Sequence, residues 1–282
     1  MTFCTLISAQ TLAAHARDPS WRIFDCRHEL GNPEAGERCY RAAHIPGAQF
    51  LHLDRDLSGP TTGSNGRHPL PDAATLAARL SQCGVSNASQ VIAYDSSGGM
   101  FAARLWWLLR WLGHDNVALL DGGLPAWQRA GHALTAEVPR AQRADFSECV
   151  VQEPVDAAYL QIHLRHSNLL LIDARVPERF RGENETLDPV GGHIPGAVNR
   201  YFRDNLDADG CFKPAAQLRQ EFGVLLQKQQ ATTVVNYCGS GATACHNLLA
   251  LEIAGLQGAR LYPGSWSEWC SDPQRPVATG EL

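Results

Sequence analysis

The sequence predicts an α/β protein made of two copies of one domain, each a mainly parallel sheet with helices on both faces. Two observations carry that prediction. Short apolar, β-branched runs alternate with helical segments, the pattern of a parallel sheet covered by helices. The chain also repeats itself. Asp25-Cys26-Arg27 followed by His44-Ile45-Pro46-Gly47-Ala48 returns as Asp173-Ala174-Arg175 followed by His193-Ile194-Pro195-Gly196-Ala197. Val91-Ile92-Ala93-Tyr94-Asp95-Ser96-Ser97-Gly98 then answers Val234-Val235-Asn236-Tyr237-Cys238-Gly239-Ser240-Gly241. Each leads into a helical run stopped by glycine, at Gly113 and Gly255, and then to a Gly-containing turn and a tryptophan, Trp127 and Trp269. Four landmarks in one order make coincidence a poor competitor.

The expected division is a first domain over residues 1–140, a polar connector over 141–153 and a second domain over 154–282. In the first copy, strands are expected around Ile23-Phe24, Gln49-Phe50, Val91–Tyr94 and Ala118–Leu120. Helices are expected over Ala9–Ala16, Ala73–Cys83, Phe101–Leu112 and Pro125–Ala130, with Trp106, Trp107 and Trp111 as helix core or interface. In the second copy Thr232–Asn236 reads as a buried strand. Ala244, Leu248 and Leu251 fall at helical spacing before Gly255, which predicts an amphipathic helix with a glycine stop.

Composition narrows the function. The 282 residues are 44% apolar without a run of transmembrane length, and the start lacks a basic stretch followed by an apolar core. Neither a membrane span nor a secretory signal is expected. A net charge of −5 with no long basic run argues against nucleic acid or an anionic membrane as partner. Nine scattered cysteines without a CxxC pair suit free thiols in a reducing cytoplasm, and offer no zinc ligand set.

The chemistry is expected at Cys238. It stands where a strand gives way to a helix, followed by the small residues Gly239, Ser240, Gly241, Ala242 and Thr243. Backbone N–H groups in such a loop form an anion-binding concavity, and the helix N-terminus adds partial positive charge. Such a place favours the thiolate, which is the reactive form. The plain alternative is a packing cysteine, the commonest use of a free thiol. The nucleophile reading requires the sulfur to be reachable. The matching position in the first copy is Asp95, so only the second copy is expected to be active.

The doubled domain, the paired His-Ile-Pro-Gly-Ala segments and the Cys-Gly-Ser-Gly-Ala-Thr loop resemble the tandem rhodanese-type sulfurtransferases over nearly the whole chain. The loop is most similar to that of the 3-mercaptopyruvate sulfurtransferases. Animal-type thiosulfate enzymes carry Arg and Lys where this chain has Gly239 and Ser240. The resemblance implies two rhodanese-like domains and sulfane-sulfur transfer from a small anionic donor, 3-mercaptopyruvate or thiosulfate, through a Cys238 persulfide. The implied acceptor is a thiol, thioredoxin-like or small, or cyanide, and no metal or organic cofactor is implied. It further implies that Arg179 grips the donor's anionic group, and that Ser240 polarises the donor in a relay completed by His68 and Asp54.

One departure concerns the donor site. Where mercaptopyruvate enzymes place a second arginine, this chain has Glu183-Asn184-Glu185-Thr186-Leu187-Asp188-Pro189. Arg200 is the expected replacement. Asp25 with Arg27, Asp173 with Arg175, and the histidines His44 and His193 are expected to be structural. Two other classes compete. A cysteine phosphatase of related fold needs an arginine six positions after its cysteine, and Ala244 stands there. A non-catalytic persulfide carrier would use the same loop without turnover.

Overall fold

The computed structural model describes residues 2–164, 169–227 and 229–281. The chain divides into two compact units. The first comprises Met1–Gly59, Pro71–Gln152 and Ala208–Phe212; the second comprises Pro60–Leu70, Glu153–Asp207 and Lys213–Leu282. Two short segments therefore depart from the order of the chain. Pro60–Leu70 is held in the second unit by Arg67 N–H on Ser267 Oγ (3.0 Å) and Ser271 Oγ on the Ser64 carbonyl (3.4 Å). Ala208–Phe212 is held in the first by Phe212 N–H on Asp121 (2.9 Å) and Arg129 on the Asp209 carbonyl (3.0 Å). These are polar contacts of loop residues, which no hydrophobic periodicity announces.

The first unit runs β1 (Leu6–Ile7), α1 (Ala9–His15), β2 (Trp21–Asp25), α2 (Ala35–Ala42), β3 (Ala48–Phe50), α3 (Ala73–Gln82), β4 (Gln90–Tyr94), α4 (Ala102–Trp111), β5 (Val117–Leu120) and α5 (Gly123–Arg129). Its sheet is parallel in the order β1-β5-β4-β2-β3. β4 is buried at all five positions, as a central strand covered on both faces must be. Helix starts are fixed by side-chain caps: Ser8 accepts from Thr11 N–H (3.1 Å) and Asp72 from Thr75 N–H (2.9 Å). Helix α2 escapes a periodicity reading because only Gly36 and Tyr40 of its eight residues are buried. Of the tryptophans in α4, Trp106 is buried and Trp107 stacks on Trp111.

The second unit runs α6 (Ala157–His163), β6 (Leu170–Asp173), α7 (Pro177–Arg181), β7 (Val198–Asn199), α8 (Ala215–Leu226), β8 (Val234–Tyr237), α9 (Thr243–Ile253), β9 (Arg260–Leu261) and α10 (Ser265–Trp269). Its sheet is parallel in the order β7-β6-β8-β9, with β8 central and wholly buried. The strand starts later than expected. Thr233 folds back on the Gln230 carbonyl through both its N–H (3.0 Å) and its hydroxyl (2.8 Å), closing a 3₁₀ turn over Ala231–Thr233. Helix α9 is also not amphipathic: Thr243 through Leu251 are all buried. Its polar members are absorbed inside, with Asn205 Nδ2 donating to Asn247 Oδ1 (2.7 Å) and lying 3.2 Å from His246 Nδ1.

The sequence repeat is a structural one. Asp25 pairs with Tyr94 across β2 and β4, and Asp173 with Tyr237 across β6 and β8. Each aspartate takes the guanidinium two residues on, Arg27 at 2.6 Å and Arg175 at 2.7 Å. Those arginines also donate to the carbonyls of Ala43 (2.7 Å) and Gly192 (2.5 Å). His44 and His193 bind the backbone carbonyls of Tyr40 (2.6 Å) and Phe180 (2.8 Å). These residues hold the strand ends that present the loops; the Asp, Arg and His take the structural part expected of them, and Tyr94 and Tyr237 join them through strand pairing.

Candidate active site

Cys238 is the first residue after β8, so it lies at the carboxyl edge of the second sheet, where open α/β sheets place their ligands. Gly241 (φ +81°) turns the loop back with a backbone conformation that side chains disfavour. Its N–H then donates to Cys238 Sγ at 3.1 Å. The loop continues through Ala242 into Thr243, the first residue of α9, so the sulfur lies at the positive end of an eleven-residue helix.

The loop is braced from its other side by the turn into α10. Ser265 Oγ accepts Cys238 N–H (3.1 Å) and donates to the Tyr262 carbonyl (3.0 Å). Trp266 and Ser267 N–H donate to the carbonyls of Cys238 (2.9 Å) and Gly239 (3.0 Å). Cys245 Sγ holds the Gly241 carbonyl (3.2 Å). One difference from expectation follows: Cys238 is 2% exposed, because the side chain folds into its own loop.

The first unit shows what such a loop binds. Asp95 occupies the equivalent position, and its carboxylate accepts four backbone N–H groups: Ser97 (2.7 Å), Gly99 (2.9 Å), Phe101 (2.8 Å) and Ala102 (2.9 Å). The concavity is an anion site, filled in this copy by its own side chain.

Around Cys238 the structure gathers several predicted residues. Ser240 Oγ lies 2.7 Å from His68 Nδ1, and both residues are buried. His68 arrives with Pro60–Leu70, the segment that belongs to the second unit. Asp54 belongs to the first unit. There its N–H donates to His52 Nδ1 (3.1 Å), and with His28 the three side chains offer donor atoms within 4.8 Å of one another. They form the only such group of metal-ligating side chains among the described residues.

Arg179 is not a solvated surface arginine. Its Nε donates to Glu185 (2.8 Å) and its Nη2 to Asp188 (3.0 Å), and both acids are nearly buried. Arg200 is engaged elsewhere, by Glu221 (2.6 Å), Asn205 (3.1 Å) and the Asp204 carbonyl (2.9 Å), and it stacks over Phe222. The guanidinium that does stand beside Arg179 is Arg67, missed in the sequence although it precedes His68 directly. Arg67 pairs with the second oxygen of Asp188. A Cβ placed on Gly239 would lie 2.8 Å from Arg67 Nη2 and 3.5 Å from both terminal nitrogens of Arg179. Glycine after the cysteine is thus what lets two guanidiniums rest on the loop.

The acids divide the charge unequally. Burial works to raise Glu185, but hydrogen bonds from Arg179 and from Leu187 and Asp188 N–H hold it below the ordinary carboxylate range. Burial pushes Asp188 above its ordinary value, against the attraction of Arg67 and Arg179 and helped by the neighbouring Glu185. Arg175, below them, is held charged by Asp173 against its own burial and lies over the Trp266 ring at 4.7 Å.

Comparison with known proteins finds similar chains over nearly the whole length. The rhodanese-like domain family matches twice, at residues 8–130 and 156–272. A probable 3-mercaptopyruvate sulfurtransferase of Pseudomonas aeruginosa is 52% identical over 284 residues, covering 100% of both chains. The thiosulfate sulfurtransferase of Mus musculus is 32% identical, covering 98% of this chain and 96% of the mouse protein. Among solved structures, a 3-mercaptopyruvate sulfotransferase from Escherichia coli superposes with a TM-score of 0.82 at 30% identity, over 94% of this chain and 99% of the other. None of the nine cysteines forms a disulfide, and no helix among the described residues is long and apolar enough to cross a membrane.

Proposed function

The chain belongs to the rhodanese family of sulfurtransferases, and from that premise we propose that it moves a sulfane sulfur from 3-mercaptopyruvate, or thiosulfate, through a Cys238 persulfide to a thiol or cyanide. The observation that carries this reading is the Cys238 sulfur held by Gly241 N–H at the N-terminus of α9, with two guanidiniums resting on the next residue.

In the first half-reaction the Cys238 thiolate attacks the donor's outer sulfur. With 3-mercaptopyruvate the carbon–sulfur bond breaks, its electron pair stays on carbon, and the enolate takes a proton to become pyruvate. With thiosulfate the sulfur–sulfur bond breaks and sulfite leaves with the pair. Arg179 grips the donor's carboxylate or sulfonate through parallel hydrogen bonds. His68 Nδ1 and Ser240 Oγ share a hydrogen bond of 2.7 Å; in the Nδ1–H tautomer the histidine donates it, and the serine hydroxyl proton is left to turn toward the sulfur donor's carbonyl oxygen. The N–H groups of Gly239, Gly241, Ala242 and Thr243 form the cradle for negative sulfur. In the second half-reaction an acceptor thiolate or cyanide attacks the outer persulfide sulfur and the Cys238 thiolate is released, giving ping-pong kinetics. Nine cysteines without a disulfide suit a reducing cytoplasm.

The test is turnover on one preparation with each donor and cyanide, beside intact-mass analysis after donor alone. We expect multiple turnover and a mass gain of one sulfur, both absent in Cys238→Ser. Turnover that survives in a folded Cys238→Ser protein would refute the mechanism. Sulfur loading without turnover would identify a carrier.

A further inference from the structure

We propose that Arg67 is the second guanidinium of the donor's anion site, and that Asp188 is an internal carboxylate occupying the Arg67–Arg179 pair until the donor displaces it. The inference rests on the sulfurtransferase reading for the identity of the anion, but the clamp itself is read from geometry within the second unit.

Three observations converge. Asp188 is nearly buried, and its two oxygens are taken separately, one by Arg67 and the other by Arg179 Nη2 at 3.0 Å. A carboxylate bridging two guanidiniums is the arrangement in which a two-oxygen ligand would be held. Second, both guanidiniums rest against Gly239, the residue after the nucleophile, so an anion taken from Asp188 would sit beside the sulfur. Third, Arg67 is placed by the same turn that braces Cys238. Its N–H donates to Ser267 Oγ (3.0 Å), while Ser267 N–H holds the Gly239 carbonyl (3.0 Å). Gly66, at φ +83°, approaches the Gly264 carbonyl so closely that a Cβ would lie 2.7 Å from it. Arg67 and His68 thus address Gly239 and Ser240 in register, one beside the anion site and one on the serine.

Asp188 is the member suited to leave. Glu185 is held ionised by Arg179 and two backbone N–H groups, whereas burial already makes the Asp188 charge costly. An incoming anion replaces that charge and leaves the guanidiniums paired. Donor binding therefore exchanges one anion for another, and Asp188 lowers the apparent affinity for both donors.

The experiment uses the full-length protein and the variants Arg67→Gln, Arg67→Lys and Asp188→Asn. Its three readouts are donor KM, for 3-mercaptopyruvate and for thiosulfate, calorimetric binding of pyruvate, and the rate of persulfide discharge to cyanide. Loss of a charged hydrogen-bond pair predicts a donor KM raised roughly tenfold to a hundredfold in Arg67→Gln. The rate of persulfide discharge to cyanide should stay within about twofold, because only the first half-reaction uses the anion site. Arg67→Lys should fall between, keeping charge without the planar fork. Asp188→Asn should lower donor KM and tighten pyruvate several-fold. An unchanged KM in a folded Arg67→Gln protein, or weaker anion binding in Asp188→Asn, would overturn the proposal. Wild-type protein that binds pyruvate in this pattern but turns over neither donor would refute the sulfurtransferase reading and leave the clamp standing.

Discussion

His68 Nδ1 lies 2.7 Å from Ser240 Oγ, and both residues are buried next to the nucleophile's loop. A buried pair of this kind acts as a unit, so the two substitutions should not add. Ser240→Ala and His68→Ala are each expected to slow persulfide formation by roughly a hundredfold or more, with the double variant no slower than the worse single one. Stopped-flow measurement of the donor half-reaction checks this. Additive losses would show that the histidine does not work through the serine.

Asp95 gives a stability prediction free of catalysis. Its carboxylate satisfies four backbone N–H groups at once, and Asp95→Ala would leave them all without it. A loss of about 3 kcal/mol in denaturant unfolding is expected, from the usual penalty for orphaned buried donors. Asp95→Asn should lose less, since its amide oxygen still accepts.

Arg200 and Glu221 predict an acid-sensitive contribution. Burial would raise Glu221, but hydrogen bonds from Arg200, Lys213 and Gln217 outweigh it and lower the carboxyl from 4.5 to about 2. A depressed folded-state value means stability that is fully present above the unfolded value and lost as pH falls from 4.5 toward 2. Glu221→Gln should therefore cost roughly 1–2 kcal/mol at neutral pH, after allowance for partial exposure, and flatten the acid limb of a melting-temperature profile. The partner variant Arg200→Ala separates two roles. Lost stability with unchanged donor KM assigns it to this ion pair, whereas a raised KM assigns it to the donor.

Gly66→Ala tests how the Pro60–Leu70 segment is seated. The new Cβ meets the Gly264 carbonyl in a backbone conformation that alanine resists. A stability loss of about 1–3 kcal/mol is expected, together with a higher donor KM and slower persulfide formation, because Arg67 and His68 move with it. A destabilised variant with unaltered kinetics would show that the segment's seating is unimportant to the site.

What the sequence disclosed and what it withheld follow physical lines. The doubled sheet was legible because alternation and repeated landmarks are local, and Cys238 was legible because a strand, a glycine-rich loop and a helix adjoin in the chain. The Asp-Arg-Tyr units could be anticipated in part, since Asp173 and Arg175 are neighbours, although Tyr237 joins them only through strand pairing. The spacing of Ala244, Leu248 and Leu251 predicts an amphipathic α9, but the polar Asn247 and His246 are buried too, because Asn205 supplies a partner that only the fold brings near. Arg67 was hidden for another reason. It lies 112 positions before Arg179 (179 − 67), in a segment of turn residues, and only tertiary placement makes the two a pair. The acids of the 183–189 stretch read as a missing arginine, when Asp188 in fact marks where two arginines meet.

The total enclosure of α9 has a consequence for how sulfur leaves. The helix is walled in along nine successive residues, and the loop at its head is clasped by the first turn of α10. Nothing in this packing resembles an arm that would carry Cys238 away from the loop. If Cys238 carries sulfur as proposed, delivery would fall to the recipient, which would have to be slender or carry its own thiol on a projecting tip.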